Sequence, residues 1–145
     1  MPATVYLKAM TNLFNGEIDL TDNTIKVALL TNAYTPDQDT HEFFDDVNAN
    51  EISVTGYTAG GATLSNKNIA EDTANNRSTF DNTANVTWTF TGTGTVRYVI
   101  IYKDTGTPST SPLLYYDDLG SDTSRTDENF VYEPNASGML RMTAS

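Results

Sequence analysis

Val96-Arg97-Tyr98-Val99-Ile100-Ile101-Tyr102-Lys103-Asp104 is the most apolar run in a chain otherwise rich in Thr, Asn and Asp. Tyr, Val and Ile are flat or β-branched side chains that suit a pleated surface. Alternation places Val96, Tyr98, Ile100 and Tyr102 on one face and Arg97, Val99, Ile101 and Lys103 on the other. Both faces are apolar at the centre, so the run predicts a central strand covered on both sides. Turn-forming residues bracket it, Thr91-Gly92-Thr93-Gly94-Thr95 before and Asp104-Thr105-Gly106 after.

Working outward, further short extended segments surround this strand. Residues 25–30 (Ile-Lys-Val-Ala-Leu-Leu) read as a strand with Ile25, Val27 and Leu29 on one side. Residues 86–90 alternate cleanly, with Val86, Trp88 and Phe90 on a buried face. Residues 62–71 read as one amphipathic edge strand, turning at Asn75-Asn76 into a partner at 78–80. Residues 113–116 form the next strand, closed by Asp117-Asp118 and by residues 120–122. Residues 130–132 and 139–142 supply the last two, separated by a turn at 135–138.

Two helical patterns accompany the strands. In residues 4–15, Tyr6, Leu7, Met10, Leu13 and Phe14 recur at three- and four-residue steps, and Gly16 can end the helix in a left-handed conformation. This segment is expected to cover a sheet; the alternative is an arm reaching a neighbouring subunit. A second short helix is expected at 40–47, capped by Asp39 with Glu42 at the third helical position and Phe43, Phe44 and Val47 buried. About eight short strands and two small helices predict a mainly β fold, an antiparallel β-sandwich or related barrel. One domain over residues 1–145 is expected, residues 1–16 forming its N-terminal helical arm.

The composition narrows the function classes. Nineteen acidic residues against eight basic ones leave a net charge of -11. That disfavours direct nucleic-acid binding, which needs a basic footprint, and disfavours anionic membranes. The absence of cysteine excludes disulfides and thiolate chemistry. No apolar run is long enough to span a bilayer. The first eight residues lack a signal-peptide pattern, so a protein made in the cytoplasm is expected.

Chemistry-bearing motifs are weak. His41 is the single histidine and has no nucleophile in an elbow motif nearby, so a structural role is expected. Gly56-Tyr57-Thr58-Ala59-Gly60-Gly61 is neither a dinucleotide fingerprint nor a P-loop and reads as a tight turn or bulge. Asp117, Asp118 and Asp122 could offer oxygen ligands to calcium, but the EF-hand spacing is absent. The Asn-x-Ser/Thr triplets at Asn76, Asn85 and Asn135 carry no weight without a secretion signal. No catalytic, cofactor-binding or metal residue is nominated, and a binding or structural protein is expected rather than an enzyme. A carbohydrate-binding β-module remains an alternative, with Trp88 and several of the eight tyrosines as an exposed stacking platform.

A family resemblance runs along the chain in order. It is carried by Ile25-Lys-Val-Ala-Leu-Leu-Thr-Asn-Ala-Tyr-Thr-Pro-Asp-Gln-Asp-Thr-His-Glu-Phe-Phe-Asp-Asp46, by Gly56-Tyr-Thr-Ala-Gly-Gly-Ala-Thr-Leu64 and by Arg97-Tyr-Val-Ile-Ile-Tyr-Lys103. The leading helix followed by Asn15-Gly16-Glu17-Ile18-Asp19 fits as well. These stretches resemble small structural proteins of tailed bacteriophages, most like head decoration (capsid cement) proteins. The resemblance implies a virion protein on the capsid exterior, partnered by the major capsid protein and assembled as a homo-oligomer, a dimer or trimer. A tail, baseplate or head-fibre component is the alternative within the same virion. The N-terminal arm and the loops at 31–41 and 104–112 are the expected contact segments, because loops carry recognition on rigid β-scaffolds.

Overall fold

The computed structural model describes residues 3–145. Its strands are β1 (Ala3–Val5), β2 (Ile25–Leu30), β3 (Ala62–Thr63), β4 (Lys67–Asp72), β5 (Arg77–Asn82), β6 (Val86–Thr89), β7 (Thr93–Lys103), β8 (Leu113–Thr126), β9 (Asn129–Tyr132) and β10 (Leu140–Thr143). One α-helix, α1 (Leu7–Phe14), and short 3-10 turns at Phe44–Asp46, Asn48–Asn50 and Pro108–Thr110 complete the described elements. The main sheet is antiparallel with order β1-β8-β7-β2-β3, so the apolar run lies at its centre.

Both faces of β7 are covered. Val99 and Ile101 point one way, Ile100 and Tyr102 the other, and all four are buried. On the Ile100 side, α1 and the 31–50 segment form the cover. The Tyr6 ring lies 5.4 Å from Tyr116, Tyr34 meets Tyr98 edge-on at 5.3 Å, and Phe44 stacks on Tyr102 at 4.0 Å. On the Val99 side, the β6–β9 pair and the β10-β5-β4 sheet form the second layer. Trp88, Phe90, Phe130, Tyr132 and Phe80 enter the core from there. The fold is therefore mainly β with sandwich-like packing of antiparallel sheets, as the strand pattern predicts.

Several local expectations are corrected. Residues 3–5 are not helical; they pair with β8, and the helix begins at Leu7. The buried positions of this segment are Tyr6 and Ala9, with Leu13 partly covered, while Leu7, Met10 and Phe14 face outward. Two apolar stripes lie one residue apart on this helix, and periodicity alone does not choose between them.

The expected helix at 40–47 is replaced by 3-10 turns. Asp37 rather than Asp39 is the local cap, its Oδ1 accepting the amides of Asp39 (3.1 Å) and Thr40 (3.0 Å). Asp46 Oδ2 accepts the amides of Glu42 (2.8 Å) and Phe43 (3.0 Å). These side-chain bonds offer the backbone an alternative to helical bonding. The pairing of Phe43 with Pro112 extends the chain there.

Residues 62–71 are two strands rather than one. The chain leaves the edge of β2 after Leu64, and Asn66 is held by the Asn82 side chain (2.8 Å), so β4 starts a hairpin with β5 instead. Residues 117–122 do not end the strand that begins at Leu113. β8 continues to Thr126 through a bulge, where Val96 opposes Thr123 but Tyr98 opposes Asp118, with Gly120 at φ +80°.

Gly61 brings the 56–61 turn hard against β2. Its φ is +75°, and a Cβ there would lie 1.8 Å from the Val27 carbonyl oxygen. Gly106 has a similar φ of +87° but open space around it. Gly61→Ala is expected to cost about 3 kcal/mol or more, and Gly106→Ala about 1 kcal/mol. Urea unfolding midpoints of the two variants, compared at equal m-value, check the difference.

Candidate functional site

The three segments expected to make contacts converge on one side of the sheet. The Leu7 amide donates to the Gln38 carbonyl at 2.8 Å, tying the start of α1 to the 31–41 loop. That loop runs into residues 42–44, where the Phe44 amide donates to Ser111 O (2.9 Å) and the Leu113 amide to Glu42 O (2.9 Å), joining it to the 104–112 loop. Residues 3–14 are thus docked on the body through β1, Tyr6 and Ala9, and residues 1–2 of the expected arm lie outside the described residues. Its outward stripe is apolar: Leu7 is 47%, Met10 44% and Phe14 85% exposed. Lys8 is the only charged residue of α1, in a chain of net charge -11.

His41 lies beneath this surface. Its Nδ1 is 3.1 Å from the Tyr34 hydroxyl, which is 2.7 Å from the Tyr6 hydroxyl. Burial pushes the Tyr34 phenol up to about 12 and drives Tyr6 higher still. The three form a hydrogen-bonded column that fixes the 31–41 loop to the sheet. No serine, carboxylate or second histidine completes a catalytic set around His41 among the described hydrogen bonds.

The acidic residues at 117–122 diverge. Arg97 holds Asp118 through Nε–Oδ1 at 2.8 Å and a second nitrogen on Oδ2 at 3.3 Å, lowering its carboxyl pKa. Asp122 accepts from the Asn32 side chain at 2.8 Å. Asp117 points to the opposite face and is 5% exposed. Among the described residues no group of three or more His, Asp or Glu side chains is placed to hold a metal ion.

Asp117 was not singled out as a buried group by the sequence pattern, because Asp117-Asp118 reads as a turn. It lies beside Tyr132, near the Tyr115–Tyr132 hydroxyl pair (3.3 Å), on a cleft of about 450 Å³ lined by β1, β8, β10 and the 133–139 connection. Desolvation raises its carboxyl to about 6 from 3.8. The signal in the sequence was the alternation Leu113, Tyr115, Asp117, had the strand been carried past Tyr116.

The proposed sugar platform is absent. Trp88 is 6% exposed, packed at 6.2 Å from both Tyr57 and Phe130, and every tyrosine is buried or half-buried. Glu51 is engaged inside the fold: its Oε2 accepts from the Tyr57 hydroxyl (2.5 Å) and the Gly60 amide (2.8 Å). No family model matches the chain, and no curated protein or solved structure matches it significantly.

Trp88 is expected to show blue-shifted emission and protection from acrylamide; a red, freely quenched signal would contradict the packing. For Asp117 the sign follows from its raised value. The native carboxyl keeps its proton up to about pH 6, whereas the unfolded one releases it near 3.8. Stability from this group is therefore complete below pH 3.8 and lost as pH rises through 6. Asp117→Asn is expected to raise the thermal midpoint by a few degrees near neutral pH, with the gain fading toward pH 4, as read by calorimetry.

Proposed function

We propose that this chain is a non-enzymatic structural protein of a tailed-phage virion. In this reading it is a decoration (cement) protein that binds the outside of the capsid shell and stabilises contacts between major capsid proteins. The observation that carries the reading beyond sequence resemblance is the exposed Leu7, Met10 and Phe14 stripe. It stands on a helix anchored to the sheet and tied to the 31–41 loop. Exposed apolar stripes of this kind mark interaction surfaces. A rigid β body presenting one such stripe suits repeated weak attachment to a lattice, where many copies turn modest contacts into high avidity. A homo-oligomer, dimer or trimer, would multiply the effect.

The test is capture of the purified protein on empty capsids of the phage that encodes it, with copy number from quantitative gels. Hundreds of copies per shell are the expected result for a cement protein. A handful of copies, or binding to tails alone, would replace this reading with a tail, baseplate or head-fibre role. No binding to any virion part would end the virion reading. Phe14→Glu is expected to lower shell occupancy about tenfold while shifting the thermal midpoint little, because its side chain has few contacts to lose.

A further inference from the structure

We propose that two copies of this chain associate through the free edge of β4, which pairs antiparallel with itself across a two-fold axis so that Ile69 lies opposite Ile69 of the second copy. The inference stands without the virion reading.

The backbone at this edge is open. β4 is the terminal strand of the β10-β5-β4 sheet, and among the described residues only β5 pairs with it. β10 and β5 separate it from the cleft beside Ala3 and Asp117. Two hydrogen bonds fix which of its backbone groups face outward. The Thr83 amide donates to Asn66 O at 3.1 Å, and the Ala144 amide donates to Asn76 O at 2.7 Å. In an antiparallel ladder, hydrogen-bonded pairs alternate with non-bonded ones. Asn68, Ala70 and Asp72 therefore bond to β5, opposite Asp81, Thr79 and Arg77. The amides and carbonyls of Lys67, Ile69 and Glu71 point away from β5 into the open edge. Such an edge is a template for another strand.

The side chains select the occupant. Lys67, Ile69 and Glu71 share one face of β4. Ile69 is 52% exposed and carries the cross-strand row Leu140, Phe80 out to the edge. Glu71 is exposed and belongs to none of the ion pairs among the described residues. The Lys67 ammonium donates to the Asn23 carbonyl, and its other protons remain free to donate. With Ile69 opposite its own copy, Lys67 falls opposite the second copy's Glu71, and Glu71 opposite the second copy's Lys67. Every outward amide and carbonyl of these residues then finds a partner. A register shifted by two residues would set Ile69 against a charge and leave backbone groups unpaired.

Charges on an edge strand ordinarily keep chains apart. Here they are opposite in sign and equally spaced about Ile69, so an antiparallel copy meets attraction where a guarded edge would supply repulsion. The repulsion between two chains of net charge -11 acts at longer range and is screened within about 8 Å at physiological salt.

The experiment is sedimentation equilibrium of the full chain from about 10 μM to about 1 mM in physiological salt, with amide hydrogen exchange at both ends of that range. The expected result is a shift from 15.9 kDa toward twice that mass. Protection is expected to rise with concentration at the amides of Lys67, Ile69 and Glu71 and to stay unchanged at Asn68 and Ala70. Glu71→Lys, an exposed change, is expected to weaken the dimer about tenfold, because each attractive pair becomes a repulsive one. Lys67→Glu is expected to do the same, and an equal mixture of the two variants is expected to recover the dimer, since their opposed charges complement. A single-chain mass at about 1 mM would overturn the proposal. So would a dimer that Glu71→Lys leaves intact, a trimer, or a dimer lost on Phe14→Glu instead, which would place the contact on α1.

Discussion

A strand that is apolar on both faces cannot stand at the surface of a protein. β7 carries Val99 and Ile101 on one side and Ile100 and Tyr102 on the other, all buried. Covering each such side chain stabilises the fold by about 1.5–3 kcal/mol, so leaving either face open would forfeit much of a small protein's stability. The chain therefore has to build two covers. One is made of β6, β9, β5 and β10, and the other of α1 with the turns from 31 to 50. β2 and β8 flank β7 with antiparallel registers of six and nine Cα partners, which lock the centre.

The edge of the sheet beyond β2 is closed piecemeal. β3 supplies two residues, the Tyr57 hydroxyl accepts the Leu29 amide at 3.1 Å, and the Ile52 amide donates to Leu29 O at 3.0 Å. Glu51 then accepts from that hydroxyl and from the Gly60 amide, and the Gly60 carbonyl accepts from the Tyr102 hydroxyl. A long exposed edge would invite pairing with other chains, and this patchwork removes it. The opposite edge, at β1, is not closed in the same way.

The surface features divide along the same line. The helical cover leaves an apolar stripe outward, because a helix one turn wide can bury Tyr6 and Ala9 only by turning Leu7, Met10 and Phe14 away. The β cover leaves a cleft where its last strand fails to meet the first strand of the main sheet, and Asp117 is stranded beneath it. His41, the residue that first invites a chemical reading, is instead spent on holding the 31–41 loop through Tyr34 and Tyr6.

The central strand, the boundaries of β2, the buried face of Val86, Trp88 and Phe90, and the β class are all legible in the order of the residues. Those depend on short-range alternation, and side-chain direction in a strand repeats every two residues whatever lies around it. Which of two stripes on α1 is buried is set by long-range packing, because both have helical spacing and the choice depends on what the helix packs against. Long-range packing also divides residues 62–71 between two sheets and carries β8 on through Asp117. Polar residues in a paired strand look like a turn until the partner strand, Thr93–Lys103 here, is known to extend beside them. The cleft follows from that extension, since a carboxylate read as part of a surface turn becomes a buried one when the strand carrying it continues across the core.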